Sequence, residues 1–193
     1  MQKEYFGIEP ILEEYVHPSR AWKYGKDVHR AMTEFLGHPG KMPDAALSHF
    51  ADWFVFDYVG LDDRRIIDRF VAENPTHLAP QEISAYQEIL GNNRFDFFDV
   101  TRVEPKQLDL VSLRDSIEYS ARVPGKSHGV EKRDVIVCRI GKLAGAWHIL
   151  SLDPIGMPRP TKRDKIRMVS AFPIPNPKFI YQDIVAHEIG DRY

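Results

Sequence analysis

The sequence predicts an α+β protein in which an N-terminal helical layer precedes a small five-stranded antiparallel β-barrel of SH3-like or OB-like type. Up to about residue 90, apolar residues recur at intervals of three and four, which is the period of an amphipathic helix. After Asn92-Asn93 the apolar period falls to two, as in half-buried strands. Six prolines follow from Pro154 onward and predict an extended, wrapping tail with a short C-terminal helix.

These patterns divide the chain into a helical region over 1–93, a barrel over 94–153 and a Pro-rich tail over 154–193. A single core shared by all three is the alternative. Within the tail, Asn176-Pro177 is typical of a helix start and predicts a closing helix through Ile189.

Four helices are expected in the helical region, each with an apolar stripe and a terminating signal. Ser19 is the expected cap of the first helix, and Gly37 its stop. The second helix ends in Trp53-Phe54-Val55-Phe56, which is apolar on every side, so it should be the most buried element. The predicted helices cover about 19–36, 44–58, 62–74 and 80–90.

Five short extended runs follow, and their edges are hidden most simply if the sheet curls into a barrel. The run from Val135 to Ile140 is nearly all apolar, which indicates a central strand and predicts a buried, inert thiol for Cys138. The predicted strands cover about 94–103, 107–113, 116–123, 134–141 and 144–151.

Composition excludes several classes of protein. With one cysteine the chain can form neither an intrachain disulfide nor a cysteine-rich zinc site, and a reducing cytoplasm is the expected compartment. No apolar run reaches the roughly 18 residues that a membrane-spanning helix needs. His187-Glu188 lacks the second histidine of a zinc-protease helix, since Asp191 stands there, so we expect no metal and no cofactor.

Asp57 is the one candidate catalytic residue. It lies four residues after Trp53, near the face expected to be buried, where a desolvated carboxylate can act as a general acid or base. A structural ion pair with Arg64, Arg65 or Arg69 is the favoured interpretation, because buried carboxylates usually accept such bonds.

Charge is distributed unevenly along the chain. Residues 1–93 hold nine Lys and Arg against fifteen Asp and Glu, whereas residues 94–167 hold fifteen against ten. The two segments could dock on each other, or the basic one could present cations to an anionic partner. A basic barrel face with exposed aromatics would suit nucleic acid, because bases can stack on such rings. The simpler interpretation is a solvated loop, or one docked on the acidic helices, with the aromatics as barrel core. The aromatics concerned are Phe95, Phe97, Phe98 and Trp147. The candidate nucleic-acid-binding residues are Arg159, Lys162, Arg163, Lys165 and Arg167.

The order of these features resembles a group of uncharacterised prokaryotic proteins in which a helix with an aromatic-rich end is followed by a short helix, another helix and a compact β-module. The matching stretches lie within about 44–151 and are Asp52–Tyr58, Ile66–Phe70, Phe97–Val100 and Arg133–Ile140. Some proteins of that kind carry a zinc-binding SEC-C cysteine motif, which this sequence lacks. The resemblance therefore implies an architecture, without an activity, a metal or catalytic residues.

Three functions are compatible with the sequence. The first is a non-catalytic cytoplasmic binding protein that contacts RNA, DNA or a ribonucleoprotein. Its binding should be sensitive to salt and should weaken when Arg163 and Lys165 are changed to Glu. The second is a hydrolase with carboxylates such as Asp57 in a cleft between the halves. The third is a protein–protein adaptor that uses the tail. No membrane partner is expected.

Overall fold

The computed structural model describes residues 7–123 and 129–190, with side chains described as far as Asp183. The chain divides into two compact units. One unit, the helical unit, consists of the residues before Gly91 and those after Asn176, and the other, the barrel unit, of Gly91–Asn176. The predicted α+β class with an N-terminal helical part and a small barrel is confirmed.

The helical unit is built on an aromatic core. Phe35 packs edge-on against Phe50 at 5.5 Å between ring centroids, and Tyr181 stacks on Phe35 at 5.1 Å. The C-terminal helix therefore belongs to this unit. The helices are α1 (Glu9–Val16), α2 (Ala21–Leu36), α3 (Leu47–Phe56), α4 (Ile66–Glu73), α5 (Pro80–Gly91) and, after the barrel, α7 (Pro177–Gly190).

Two predictions for this unit are confirmed and one is corrected. Every residue from Phe50 to Phe56 is buried, as expected for the most apolar helix, and the closing helix is present as α7. Ser19 is not a helix cap, because α2 begins at Ala21 after a 3₁₀ turn in which the His17 ring accepts the Ser19 amide at 3.3 Å. Helix α1 was not predicted.

The barrel unit closes as a five-stranded barrel. Its strands are ordered β1-β2-β3-β5-β4, and β1 pairs with both β2 and β4, which closes the ring. The pairing of β3 with β5 is parallel, so the predicted all-antiparallel barrel is in fact mixed. Of the two barrel types left open by the sequence, this order is that of an OB-like barrel. The strands are β1 (Asn93–Glu104), β2 (Gln107–Ser112), β3 (Glu118–Arg122), β4 (Val135–Leu143), β5 (Ala146–Ile149) and β6 (Ile155–Met157).

The barrel interior is filled by alternate residues of the strands, as the period of two predicts. Cys138 is fully buried there, which confirms its predicted burial. Strand β6 was not predicted and pairs with β4 from Val135 to Val137. The core consists of Phe98, Val100, Leu108, Leu110, Tyr119, Ala121, Ile136, Cys138, Ile140 and Ile149.

A further helix, α6 (Lys162–Ala171), lies in the segment predicted to be extended, and that prediction is wrong for these residues. The helix starts with a capping box, in which Thr161 Oγ1 accepts the Asp164 amide at 3.2 Å and Asp164 Oδ2 accepts the Thr161 amide at 2.9 Å. None of its residues is buried. Among the helices of the described residues, none has the length and apolar character that a bilayer crossing requires.

Candidate nucleic-acid interface

Four of the five candidate cations lie in α6 and Arg159 lies three residues before it, and the structure separates the five into two groups. Arg159 and Lys165 are engaged by neighbouring carboxylates. Arg159 pairs with Glu131, and Lys165 Nζ donates to Asp99 Oδ2 of β1 at 2.6 Å. These two cations hold the tail and α6 to the barrel, so they are poor candidates for ligand contacts.

The second group consists of Lys162, Arg163 and Arg167, which we call the α6 face. All three side chains are exposed, and within the described part of the chain no carboxylate lies within ion-pair distance of them. The nearest acid in sequence is Asp164, whose pKa is lowered by hydrogen bonds from Thr161 and, more weakly, by the charges of Arg163 and Arg167. The Asp164 carboxylate accepts the hydrogen bonds of Thr161 in the capping box, so the α6 face carries a local excess of positive charge.

Apolar surface accompanies these cations. Ile166 is 59% exposed and lies four residues after Lys162, so the two side chains are neighbours on one side of the helix. A shallow depression of about 220 Å³ lies against α6, which is below the roughly 300–1,000 Å³ of pockets for drug-sized ligands. Its lining residues are Leu113, Lys162, Lys165, Ile166, Val169 and Ser170.

The strands themselves do not form the predicted basic barrel face. They contain five Lys and Arg and five Asp and Glu, so their formal charges cancel. On the outer wall of β2 and β3, Asp109 accepts one hydrogen bond from Ser120 Oγ at 2.7 Å and faces Arg102 at 3.9 Å. The positive excess of this part of the chain therefore lies in the loops and on α6.

The aromatic residues proposed as stacking platforms are mostly part of the packing. Phe98 is in the barrel core, and Trp147 packs against that core with a T-shaped contact to Tyr119 at 4.9 Å. Phe97 is 2% exposed and contacts Phe172, the residue after α6, at 5.9 Å. Phe95 lies under the guanidinium of Arg139 at 5.6 Å. The simpler interpretation, that these rings are barrel core, is confirmed for Phe98, whereas Phe97 is buried outside that core.

One end of the barrel interior holds a polar cluster centred on Asp96. This carboxylate is completely buried. It accepts one hydrogen bond from Ser112 Oγ and another from the backbone amide of Phe97, each at 2.9 Å. Arg94 bonds to it at 2.5 Å, and Arg114 Nε lies 3.5 Å away. Because its oxygens are bonded within the protein, we assign Asp96 a structural role.

Arg94 connects this cluster to the adjacent turn. Its guanidinium donates to Asp115 at 2.7 Å and to the Tyr119 hydroxyl at 2.9 Å. Burial acts to lower the pKa of Arg94, but the hydrogen bonds to Asp115 and Tyr119 and the charge of Asp96 outweigh it and raise the pKa above the ordinary value. The arginine therefore stays charged and joins Asp96 in the barrel end to Asp115 in the adjacent turn.

Asp57 follows the last residue of α3, is half-buried, and donates its amide to the Trp53 carbonyl at 2.9 Å. In the helical unit, the buried ion pair of Arg69 is with Asp27. Arg69 donates to Asp27 at 3.1 Å, and both side chains are less than one-tenth exposed. Asp27 also accepts the Leu61 amide at 2.8 Å. A catalytic role for Asp57 stays a prediction.

The half-motif His187-Glu188 lies beyond the residues whose side chains are described. Among the side chains that are described, no group of three or more His, Cys, Asp and Glu is arranged to hold a metal ion. The residues that sequence reasoning missed are Thr161 and Asp164, although their spacing, a threonine followed three residues later by an acid, is a sequence signal for a helix start.

Comparison with known proteins gives no family for this chain. No protein-family model matches it, and searches of curated proteins and of solved structures find no significant similarity. The resemblance to the prokaryotic proteins with a small β-module therefore stays a prediction.

Proposed function

We propose that this protein is a non-catalytic, cytoplasmic binding protein whose barrel unit contacts RNA or DNA through the α6 face. The observation that carries the proposal is that Lys162, Arg163 and Arg167 are exposed without an ion-pair partner in the described part of the chain. Three cations within two helical turns repel one another, and an anionic ligand relieves that repulsion.

Nucleic acid suits this surface because its phosphates are closely and regularly spaced. Each cation that neutralises a phosphate releases condensed counterions, so such binding is strong at low salt and weakens steeply as salt is added. Phosphate contacts of this kind carry no sequence information, so we expect binding through the α6 face to depend little on the nucleotide sequence.

A second candidate function, an adaptor for an acidic protein, is favoured by Ile166. This side chain is 59% exposed among the cations and could enter an apolar site on a partner. For the adaptor, Ile166→Ala should weaken binding strongly, whereas for nucleic acid the loss should come mainly from the arginine changes.

The test is the salt dependence of binding to a fluorescent single-stranded oligonucleotide, measured by anisotropy. We expect Arg163→Glu with Arg167→Glu to weaken binding at low salt at least ten-fold. The slope of log K against log salt should flatten by about 1.4, since each contact with a single strand contributes roughly 0.7. Lys165 is left unchanged, because a glutamate there would face Asp99 and disturb α6.

The matched control is Lys106→Glu with Lys132→Glu, which changes the net charge equally at exposed positions outside α6. It should leave most of the affinity. If the protein does not bind at low salt, or if both double variants lose the same affinity, the α6 face is not a nucleic-acid site.

A further inference from the structure

The helical unit exposes a tryptophan on a surface that the proposed function does not use. Trp22, in the first turn of α2, is 81% exposed. By contrast Trp53 is 3% exposed, and Trp147 packs against the barrel core. The buried stripe of α2 is formed by Tyr24, Asp27, Ala31 and Phe35, so Trp22 lies outside it. Its side chain contributes nothing to the core of this unit.

Cations follow Trp22 along the exposed side of the helix. Lys26 lies four residues on, and Arg30 a further four, so neighbouring members are about 5–6 Å apart at Cβ. Both side chains are exposed. We call Trp22, Lys26 and Arg30 the α2 face.

The acidic residues of α2 do not neutralise this face. The helix contains two of them, Asp27 and Glu34. Asp27 points inward to Arg69, and Glu34 accepts Lys178 Nζ at 3.0 Å. Over the described residues, Lys26 and Arg30 have no carboxylate within ion-pair distance. The α2 face is therefore positive, although the N-terminal half of the chain is acidic overall.

We propose that the α2 face binds unpaired bases of single-stranded RNA or DNA, with Trp22 stacked on a base and Lys26 and Arg30 on adjacent phosphates. An exposed aromatic ring beside cations on one face meets both chemical features of a single strand, the flat base and the charged backbone. In a duplex the bases are already stacked on each other and offer no face to Trp22. The inference takes its ligand class from the proposed function but depends on different residues, and it adds a preference for unpaired strands.

The experiment compares Trp22→Ala with Trp22→Phe in the full chain, with a 12-residue oligonucleotide, unpaired or in a duplex, as the labelled probe. We expect Trp22→Ala to weaken binding of the single strand about ten-fold, the effect typical of losing one base–aromatic stack. Binding of the duplex should stay unchanged, and Trp22→Phe should retain most of the affinity for the single strand. Leu61→Ala removes another exposed apolar side chain of the same unit and serves as the control.

The outcomes separate the two proposals. If Trp22→Ala binds the single strand as well as the unmodified protein does, or loses single strand and duplex equally, the stacking site is overturned. Loss of binding in Arg163→Glu with Arg167→Glu would still support the α6 face in that case. If the α6 variant binds normally and Trp22→Ala does not, the α2 face stands and the α6 face falls. Trp22-dependent binding to anionic lipid vesicles without oligonucleotide binding would overturn the α2 proposal.

Discussion

Ser112 Oγ donates a hydrogen bond to Asp96 Oδ2 at 2.9 Å inside the end of the barrel, 16 residues away along the chain. This contact joins β1 to β2 where the apolar core ends. Two partly buried arginines share the carboxylate, so it balances their positive charge as well as accepting the hydroxyl. The barrel end is therefore sensitive to the loss of one negative charge.

Asp96→Ala should destabilise the barrel unit by about 1–3 kcal/mol, the usual cost of leaving buried hydrogen-bonding groups without a partner. The reason is that the Ser112 hydroxyl and the Phe97 amide lose their acceptor, and the partly buried Arg94 and Arg114 lose a carboxylate. Urea unfolding followed by circular dichroism measures the change. Asp109→Ala, on the outer wall of the barrel, is the matched control and should cost less than about 1 kcal/mol. Equal losses in the two variants would show that Asp96 has no special role.

Gly60→Ala and Gly25→Ala should change stability in opposite directions. A Cβ at Gly60 would collide with the Arg69 guanidinium, which cannot move away easily because Asp27 and Asp62 hold it. We expect a loss of about 1–3 kcal/mol, as for other overpacked sites. A Cβ at Gly25 meets only the Ala21 Cβ, at 3.9 Å, so the better helix propensity of alanine should add about 0.5–1 kcal/mol.

Both glycine variants can be compared by thermal unfolding under one set of conditions. A Gly60→Ala protein as stable as the unmodified one would mean that Arg69 has another position available. A destabilised Gly25→Ala protein would mean that the exposed side of α2 is not open at this point.

Asp62 should make the stability of the helical unit depend on acid pH. Partial burial opposes its ionisation, but hydrogen bonds from Arg69 and Arg64 outweigh this and lower the pKa of Asp62 from 3.8 to about 2. A carboxylate with a depressed pKa stabilises the folded state above its unfolded-state pKa. That contribution is lost as the pH falls from about 4 to about 2.

The variant Asp62→Asn removes this titration. Its free energy of unfolding should be lower than that of the unmodified protein near neutral pH, and the difference should shrink as the pH falls towards 2. Urea unfolding at several pH values measures it. A difference that stays constant over this range would contradict the assignment to Asp62.

Periodicity was enough to predict the elements that bury one side. Tyr24, Ala31 and Phe35 recur at helical spacing and are buried in α2, and the run from Val135 to Ile140 is a buried strand. Helix α6 could not be predicted from periodicity, because it buries no residue and therefore has no apolar stripe. The prolines around it favour an extended chain instead. Its capping box was the available signal.

The candidate sites could be predicted only in part. Sequence reasoning located the cations of residues 159–167, but it could not separate Lys165, which is bound to Asp99 across 66 residues, from Arg163, which has no such partner. The pairing of Asp27 with Arg69 spans 42 residues and likewise depends on tertiary structure. The parallel pairing of β3 with β5 has no local signature, because both strands show the same alternation in either direction.

The stacking of Tyr181 on Phe35 has a consequence for biosynthesis. As the ribosome adds residues in order, Phe50 and Trp53 are available to Phe35 early, but the barrel sequence is made before Tyr181. The side of Phe35 that Tyr181 covers therefore stays exposed while the barrel is synthesised. Chaperones that hold apolar nascent chains would have their longest opportunity on this protein during that interval.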